Sequence, residues 1–197
     1  MSYDSKKIYH FHSKKRVAVI GCGRRARDLL SALRELAMGT ELCAVCDTQG
    51  EEVFAALREM GYQTDSIKLY QDADKMLDEE APDGVILGTR VDAHVMYAEK
   101  VLARNIPLLI EKPLCMTMDE LIALRDVCRE YDLYLFVDGA RLAPSLVAEG
   151  NDLAPEDYAK YCDVFYIGGT KNGLLFGEAV VITNDAIKPH FRNMIKQ

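Results

Sequence analysis

The chain has 197 residues, of which 49% are hydrophobic and 28% charged, with a formal net charge of −7. A chain of this length buries one good core, or one domain and part of another. Its acidic balance argues against a nucleic-acid or anionic-membrane partner, since either wants a basic surface, and no apolar run is long enough to span a bilayer.

The start, MSYDSKKIYHFHSKKR, is basic but lacks the apolar core of a secretory signal. Residues 1–14 therefore read as a leader, with His10 and His12 in it lacking obvious co-ligands, and the expected location is the cytoplasm. The six cysteines suit that compartment as reduced thiols.

From residue 16 onward strand and helix signals alternate, the pattern of an α/β protein with a parallel sheet. RVAVIG (16–21) is a short apolar run ending in glycine, suited to a strand buried on both faces. A helix follows, with Ala26, Leu29, Leu30, Leu33 and Leu36 on one face. ELCAVCD (41–47) is the second strand. Cys43 and Cys46 form a C-x-x-C there, but residues three apart on a strand face opposite sides and no second pair completes a zinc site. They read as structural, and no metal is expected.

Residues 51–60 are helical, with Val53, Phe54, Leu57 and Met60 inward. A weak strand (67–70), a helix (72–80) ending before Pro82, a strand (84–89), a helix (92–104) and a strand (106–112) continue the alternation. Thr117-x-x-Glu120 is a capping box opening a helix with Leu121, Leu124, Val127 and Cys128 on its buried face. LYLFVD (133–138) is a strand, PEDYAKY (155–161) a helix, and residues 163–169 and 177–183 are two more strands. Helical turns are expected from about Pro189, and no linker interrupts the rhythm.

Gly21-Cys22-Gly23-Arg24-Arg25-Ala26 is a G-x-G-x-x-A between a strand and a helix. Gly21 permits the tight turn, Gly23 lets backbone approach a pyrophosphate, and the helix N-terminus attracts its charge. Asp47 ends the second strand, where a carboxylate accepts from both ribose hydroxyls of an adenosine and repels a 2′-phosphate. Thr48 and Gln49 follow, so NAD is favoured, while Arg24 and Arg25 keep NADP open.

VAVIGCGRRAR, AVCD, DGVILGTRVDAH and LLIEKPLCMTMDEL together resemble the N-terminal Rossmann domain of the Gfo/Idh/MocA oxidoreductases, over about residues 15–130. The triplet Glu111-Lys112-Pro113 with the helix after it is the most specific part; alone it reads as a strand-ending turn with a surface ion pair. The resemblance implies that Lys112 lies at the nicotinamide end and orients cofactor and substrate, and that Thr89, His94 and Glu111 belong to the segment around the cofactor. Arg90 stands where the family often has proline. The family continues with a large α+β domain that binds a sugar or polyol-like substrate and supplies the acid/base groups, and nothing after residue 131 resembles it.

LYLFVDGARL and CDVFYIGGTKNGLLFGEAVVIT instead resemble the central segment of threonine aldolases, which use pyridoxal 5′-phosphate (PLP), over about residues 129–197. This implies that Asp138 holds the pyridinium, Lys171 forms the Schiff base, Arg141 binds a substrate carboxylate and Thr170 supports the lysine or the phosphate. It also implies a homo-oligomer, because a partner subunit closes such a site. Taken singly, Asp138 reads as a turn or helix cap and the Thr-Lys-Asn-Gly stretch as an exposed turn. The region that cups the phosphate and the downstream small domain of that family have no counterpart here.

The two resemblances meet within roughly residues 120–132, leaving open a natural fusion, an engineered chimera or a misassembled gene. The expected domains are 15–131, which binds NAD(P), and 132–197, a partial PLP-enzyme large domain. The expected fold is an α/β, Rossmann-like, doubly wound, mostly parallel sheet, extended by the PLP-enzyme strands, with Leu133–Val137 as its sixth strand. The leading functional expectation is an NAD(P)-binding domain with little or no catalysis of its own. The alternatives are a PLP-dependent lyase of β-hydroxy-α-amino acids and a non-catalytic module or unselected chimera.

Overall fold

The computed structural model describes residues 14–36, 39–189 and 191. His10, His12 and the rest of the leader up to residue 13 lie outside them, as does most of the stretch after Pro189. The chain divides into two compact units, Met1–Met116 and Thr117–Gln197.

In the first unit the elements are β1 (Lys15–Ile20), α1 (Arg24–Glu35), β2 (Thr40–Cys46), α2 (Gly50–Glu59), β3 (Lys68–Tyr70), α3 (Ala73–Glu80), β4 (Gly84–Leu87), α4 (His94–Leu102) and β5 (Leu108–Ile110). The sheet order is β3-β2-β1-β4-β5 and all pairs are parallel. This is the order of one Rossmann half plus the strands beyond its switch point, where β1 lies between β2 and β4. The apolar runs explain why these segments form central strands: Ala18, Val19 and Ile20 of β1 and Ala44 and Val45 of β2 are at most 1% exposed. Val19, Val45 and Ile86 meet Ala26 and Leu30 of α1 and Val53 and Leu57 of α2 in one core.

The elements also stop for local reasons. Asp72 is the N-cap of α3, and its carboxylate accepts the Asp74 N–H at 2.9 Å. The helix ends at Ala81, in the left-handed region, just before Pro82. Glu80, in the last turn, is buried and accepts from Arg16 at 2.7 Å, Lys68 at 2.6 Å and the Tyr70 hydroxyl at 2.7 Å. One carboxylate thus ties α3 to β1 and β3.

The second unit holds α5 (Met118–Glu130), β6 (Phe136–Val137), α6 (Leu142–Leu146), α7 (Pro155–Tyr161), β7 (Val164–Gly168) and β8 (Glu178–Ile182). The capping box forms: the Glu120 N–H donates to Thr117 Oγ1 and the Thr117 N–H to Glu120 Oε2, both at 3.2 Å. The short helix α6 has no sequence expectation, and its Pro144 looks like a breaker. Pro144 falls in the first turn, where its missing N–H would have had no helical partner.

β6, β7 and β8 form a sheet of their own, with β6 parallel and β8 antiparallel to β7. The expected sixth strand of the first sheet is therefore corrected: only Phe136–Val137 is strand, and it pairs with β7. Buried Asp163 is the reason. Its carboxylate accepts the Leu135 N–H at 2.7 Å and Arg125 at 3.2 Å through Oδ2, and the Asn184 amide at 2.9 Å through Oδ1. Its own N–H donates to the Leu135 carbonyl at 2.9 Å. These bonds fix the entry to β6 beside β7.

Candidate functional site

Parallel pairing puts the carboxyl ends of β1, β2, β4 and β5 on one edge of the first sheet. Gly21 and Gly23 follow β1, Asp47 follows β2, Thr89 follows β4, and Glu111 and Lys112 follow β5. The chain turns at Gly21 with φ +76°, and its N–H donates to the Cys46 carbonyl at 2.9 Å. A Cβ there would meet the Thr89 backbone at 2.7 Å, so only glycine fits. Gly23 differs: its backbone is extended, and an added Cβ would meet only the Gly88 carbonyl, at 3.7 Å. The protein itself has room for a side chain at Gly23.

Gly23 is the N-cap of α1, so the first amides of that helix face the glycine turn unpaired within the helix. Arg24 and Arg25 are exposed on its first turn, and Arg25 lies 3.9 Å from Asp28. Half-buried Asp47 accepts the Cys22 N–H through Oδ2 and the Gln49 N–H through Oδ1, both at 2.8 Å. A carboxylate has about four acceptor positions, so two remain for a ligand. The Cys22 thiol below is pushed up to about 11 by burial and then by the Asp47 charge, which keeps it an inert neutral group.

Among the described residues, Thr89 Oγ1 is buried without a hydrogen-bond partner. A hydroxyl in that position beside the glycine turn suits a polar ligand. His94 is 1% exposed, and its ring lies between two carbonyls, Pro113 O at 2.9 Å and Thr89 O at 3.0 Å. It joins the end of β4 to the Glu111-Lys112-Pro113 turn from beneath. The Lys112–Pro113 bond is cis and Lys112 is exposed. The Glu111 N–H donates to the Leu87 carbonyl at 3.0 Å. Sequence reasoning missed Gly88, where a Cβ would meet the Gly21 carbonyl at 2.7 Å and Ala26 Cβ at 2.8 Å. A glycine closing an otherwise apolar strand was the available signal.

In the second unit, Asp138 follows β6, and Thr170 and Lys171 lie in a 3₁₀ turn after β7. Asp138, Arg141, Thr170 and Lys171 are all exposed. Asp138 accepts the Ala140 N–H at 2.9 Å and the Tyr166 hydroxyl, a bond that pushes the Tyr166 phenol up to about 12. The register explains the pair, because Val137 pairs with Phe165 and the next positions on both strands are Asp138 and Tyr166. Gly139 leaves no room for a Cβ against the Tyr166 carbonyl. An exposed carboxylate held by a tyrosine does not, as it stands, supply the buried anion that keeps a pyridinium protonated. Elsewhere, among the described residues, no His, Cys, Asp or Glu cluster could hold a metal and no helix is long and apolar enough to cross a membrane.

Comparison with known proteins divides the chain similarly. Residues 15–138 match the model of the oxidoreductase family with the NAD-binding Rossmann fold, and residues 114–196 match that of the beta-eliminating lyases. The overlap is the helix-then-strand stretch of α5 and β6. The rhizopine catabolism protein MocA of Rhizobium meliloti is 30% identical over 139 residues, which is 70% of this chain and 42% of that protein. A low specificity L-threonine aldolase of Pseudomonas aeruginosa is 37% identical over 79 residues, 40% of this chain and 23% of that one. The WlbA dehydrogenase of Chromobacterium violaceum, solved with NADH and UDP-GlcNAcA, is similar with a TM-score of 0.56 and 25% identity, covering 68% of this chain and 37% of that one. The chain thus spans less than half the length of each of these relatives. On the family match and the strand order together, the chain belongs to the oxidoreductase family with the NAD-binding Rossmann fold, and it carries a beta-eliminating lyase segment after that domain.

Proposed function

We propose that residues 15–131 bind a nicotinamide dinucleotide, NADH in preference to NADPH, and that the chain has little or no catalysis of its own. The observation that carries this is the Asp47–Cys22 bond of 2.8 Å, which holds an acidic side chain beside the glycine turn. When bound, the dinucleotide supplies the ring carbon that exchanges a hydride. The opening at Gly23 and the first amides of α1 receive the pyrophosphate. The two remaining acceptor positions of Asp47 take the adenosine ribose hydroxyls, and its charge disfavours a 2′-phosphate. Thr89 offers its hydroxyl to the cofactor. Lys112 orients the nicotinamide end and the substrate, with Glu111 and His94 holding its turn. The cytoplasm is the proposed location, on the cysteine usage.

Titrating the chain with NADH and NADPH by fluorescence or calorimetry tests this reading. Saturable binding is expected for NADH, weaker binding for NADPH, and loss of both in Gly23→Ala. Binding of neither by the wild-type chain overturns it.

A second reading rests on the parallel pairing of β6 with β7, which sets the residues after each strand, Asp138 and Lys171 among them, at the same end of one sheet. Under it Lys171 holds PLP, Asp138 faces the ring nitrogen and Arg141 binds the substrate carboxylate. The exposure of Asp138 and its bond from Tyr166 support only weak, freely exchanging binding and little aldolase activity. Incubation with PLP, borohydride reduction and mapping by mass spectrometry separates the outcomes. Scattered labelling of surface lysines fits weak binding. Specific labelling of Lys171, with acetaldehyde release from threonine that Lys171→Ala abolishes, establishes the lyase instead.

A further inference from the structure

We propose that Asn172 is a site of spontaneous deamidation, and that its conversion to aspartate or isoaspartate releases the turn that carries Lys171. The proposal is independent of both cofactor readings. Asn172-Gly173 is the one Asn-Gly pair in the chain. It closes the 3₁₀ turn Thr170–Asn172, with Gly173 in the left-handed region at φ +91°. The other 3₁₀ turns of the described chain, Thr64–Ser66, Val91–Ala93 and Asp185–Ile187, each end in a hydrogen bond. The N–H of Ile67, His94 or Lys188 donates to the carbonyl three residues back. Gly173 is the exception: among the described residues its N–H meets no acceptor. A Cβ placed on it would meet nothing within 4 Å, and the residue is exposed. Its nitrogen is therefore uncommitted and open to water.

That nitrogen stands one bond beyond the Asn172 main-chain carbonyl, the spacing that closes a five-membered ring on the Asn172 side chain. The Gly173 nitrogen bonds to Asn172 Cγ and gives its proton to water. The Cγ–Nδ2 bond breaks, and the amide nitrogen leaves as ammonia. One water then opens the ring at either carbonyl, leaving aspartate or isoaspartate. The net change is water in and ammonia out, with no oxidant or reductant. The other described asparagines are worse placed. Asn105 precedes Ile106, whose branched side chain crowds the nitrogen and whose N–H donates to the Val101 carbonyl. Asn151 Nδ2 donates to the carbonyls of Leu146 and Leu153. The Asn184 amide donates to Asp163 and accepts from the Ala186 N–H. Asn172 has a single tie: its Nδ2 donates to the Gly168 carbonyl at the end of β7, while its Oδ1 is buried without a partner. A carboxylate has no hydrogen to give Gly168, so it would face that carbonyl oxygen with like charge. Left there, it would be a buried anion without a donor. The product side chain therefore turns out to water, and the turn loses its tie to β7.

The test is incubation of the full chain at neutral pH, with peptide mapping by mass spectrometry at intervals of days. Asn172 should show the mass gain of an amide turned acid, split between aspartate and isoaspartate peptides. It should convert at least about tenfold faster than Asn105, Asn151 or Asn184. Hydrogen exchange over residues 169–177 should quicken roughly tenfold or more in the aged chain and in Asn172→Asp, with β1 to β5 unchanged. Asn172→Gln, which would need a larger ring, should stay unmodified at this position. Circular dichroism checks that both variants fold, and the aged wild-type chain serves if they do not. An Asn172 that keeps its amide, or that converts no faster than the other three, overturns the proposal. Conversion with unchanged exchange over residues 169–177 overturns the release of the turn.

Discussion

Gly21 and Thr89 touch so closely that a Cβ on Gly21 would lie 2.6 Å from Thr89 Cγ2 and 2.7 Å from its backbone nitrogen. The carboxyl ends of β1 and β4 meet at this contact, which separates two glycines that look equivalent in the sequence. Gly21→Ala combines a positive φ with this clash and should destabilise the fold by about 2 kcal/mol or more. Gly23→Ala should leave the melting curve nearly unchanged while raising the Kd for NADH about tenfold or more. Thermal melts and NADH titrations of the two variants check the split. Equal loss of stability in both would show that Gly23 is also structural.

Asp47 caps the glycine turn through Cys22, and in the proposed function its charge also repels a 2′-phosphate. Asp47→Ser should cost about 1 kcal/mol of stability from the lost charged hydrogen bonds. It should also weaken NADH and strengthen NADPH, lowering their preference ratio by about tenfold. Competitive titration of the two dinucleotides reads that ratio. An unchanged ratio would remove Asp47 from the specificity role.

Glu80 makes the first unit acid-sensitive. The Lys68 hydrogen bond, then those of Tyr70 and Arg16, hold its carboxyl below the ordinary value of 4.5. A carboxyl lowered by folding adds stability that is fully present above the unfolded value and is lost as pH falls through the folded one. The melting temperature should therefore fall below about pH 4.5. Glu80→Gln should cost about 2 kcal/mol at neutral pH and flatten part of that acid slope. Asp74, Asp78 and Asp83, also lowered by their partners, supply the remainder.

Asp163 holds the second unit together through Leu135, Arg125 and Asn184. Asp163→Ala strands the Arg125 side chain, only 13% exposed, and leaves the Leu135 N–H without its carboxylate. It should cost about 3 kcal/mol or more. Urea melts followed by limited proteolysis should show cleavage after residue 117 while residues 15–116 stay protected.

The Asp138–Tyr166 bond is visible as a titration. Tyr166 should ionise at about 12, and Asp138→Asn should bring it back toward the ordinary 10. Carbon-13 labelling of the tyrosine ring carbons resolves this one phenol from the other nine. A Tyr166 that titrates ordinarily in the wild-type chain would leave Asp138 available to a cofactor.

Features that depend on neighbours along the chain are legible in the residues alone. Apolar runs made β1, β2 and β4, with glycine closing the first and the last of them, the threonine and glutamate three apart made the cap of α5, and G-x-G-x-x-A with Asp47 marked the candidate nucleotide edge. Tertiary structure decided what depends on partners far away in the chain. The apolar stretch 133–137 could have joined either sheet, and Asp163, 28 residues beyond Leu135, fixed its entry beside β7. Likewise Asp138 is a carboxylate at a strand end in any reading, and only the β6–β7 register gives it to Tyr166. Gly21 and Gly23 differ because the chain turns at Gly21 with a positive φ and Thr89 lies against it, whereas Gly23 is extended and open. Periodicity and capping are local energies that a single segment carries. The choice among strand partners, and the space left at a glycine, are set by packing against groups the segment does not contain.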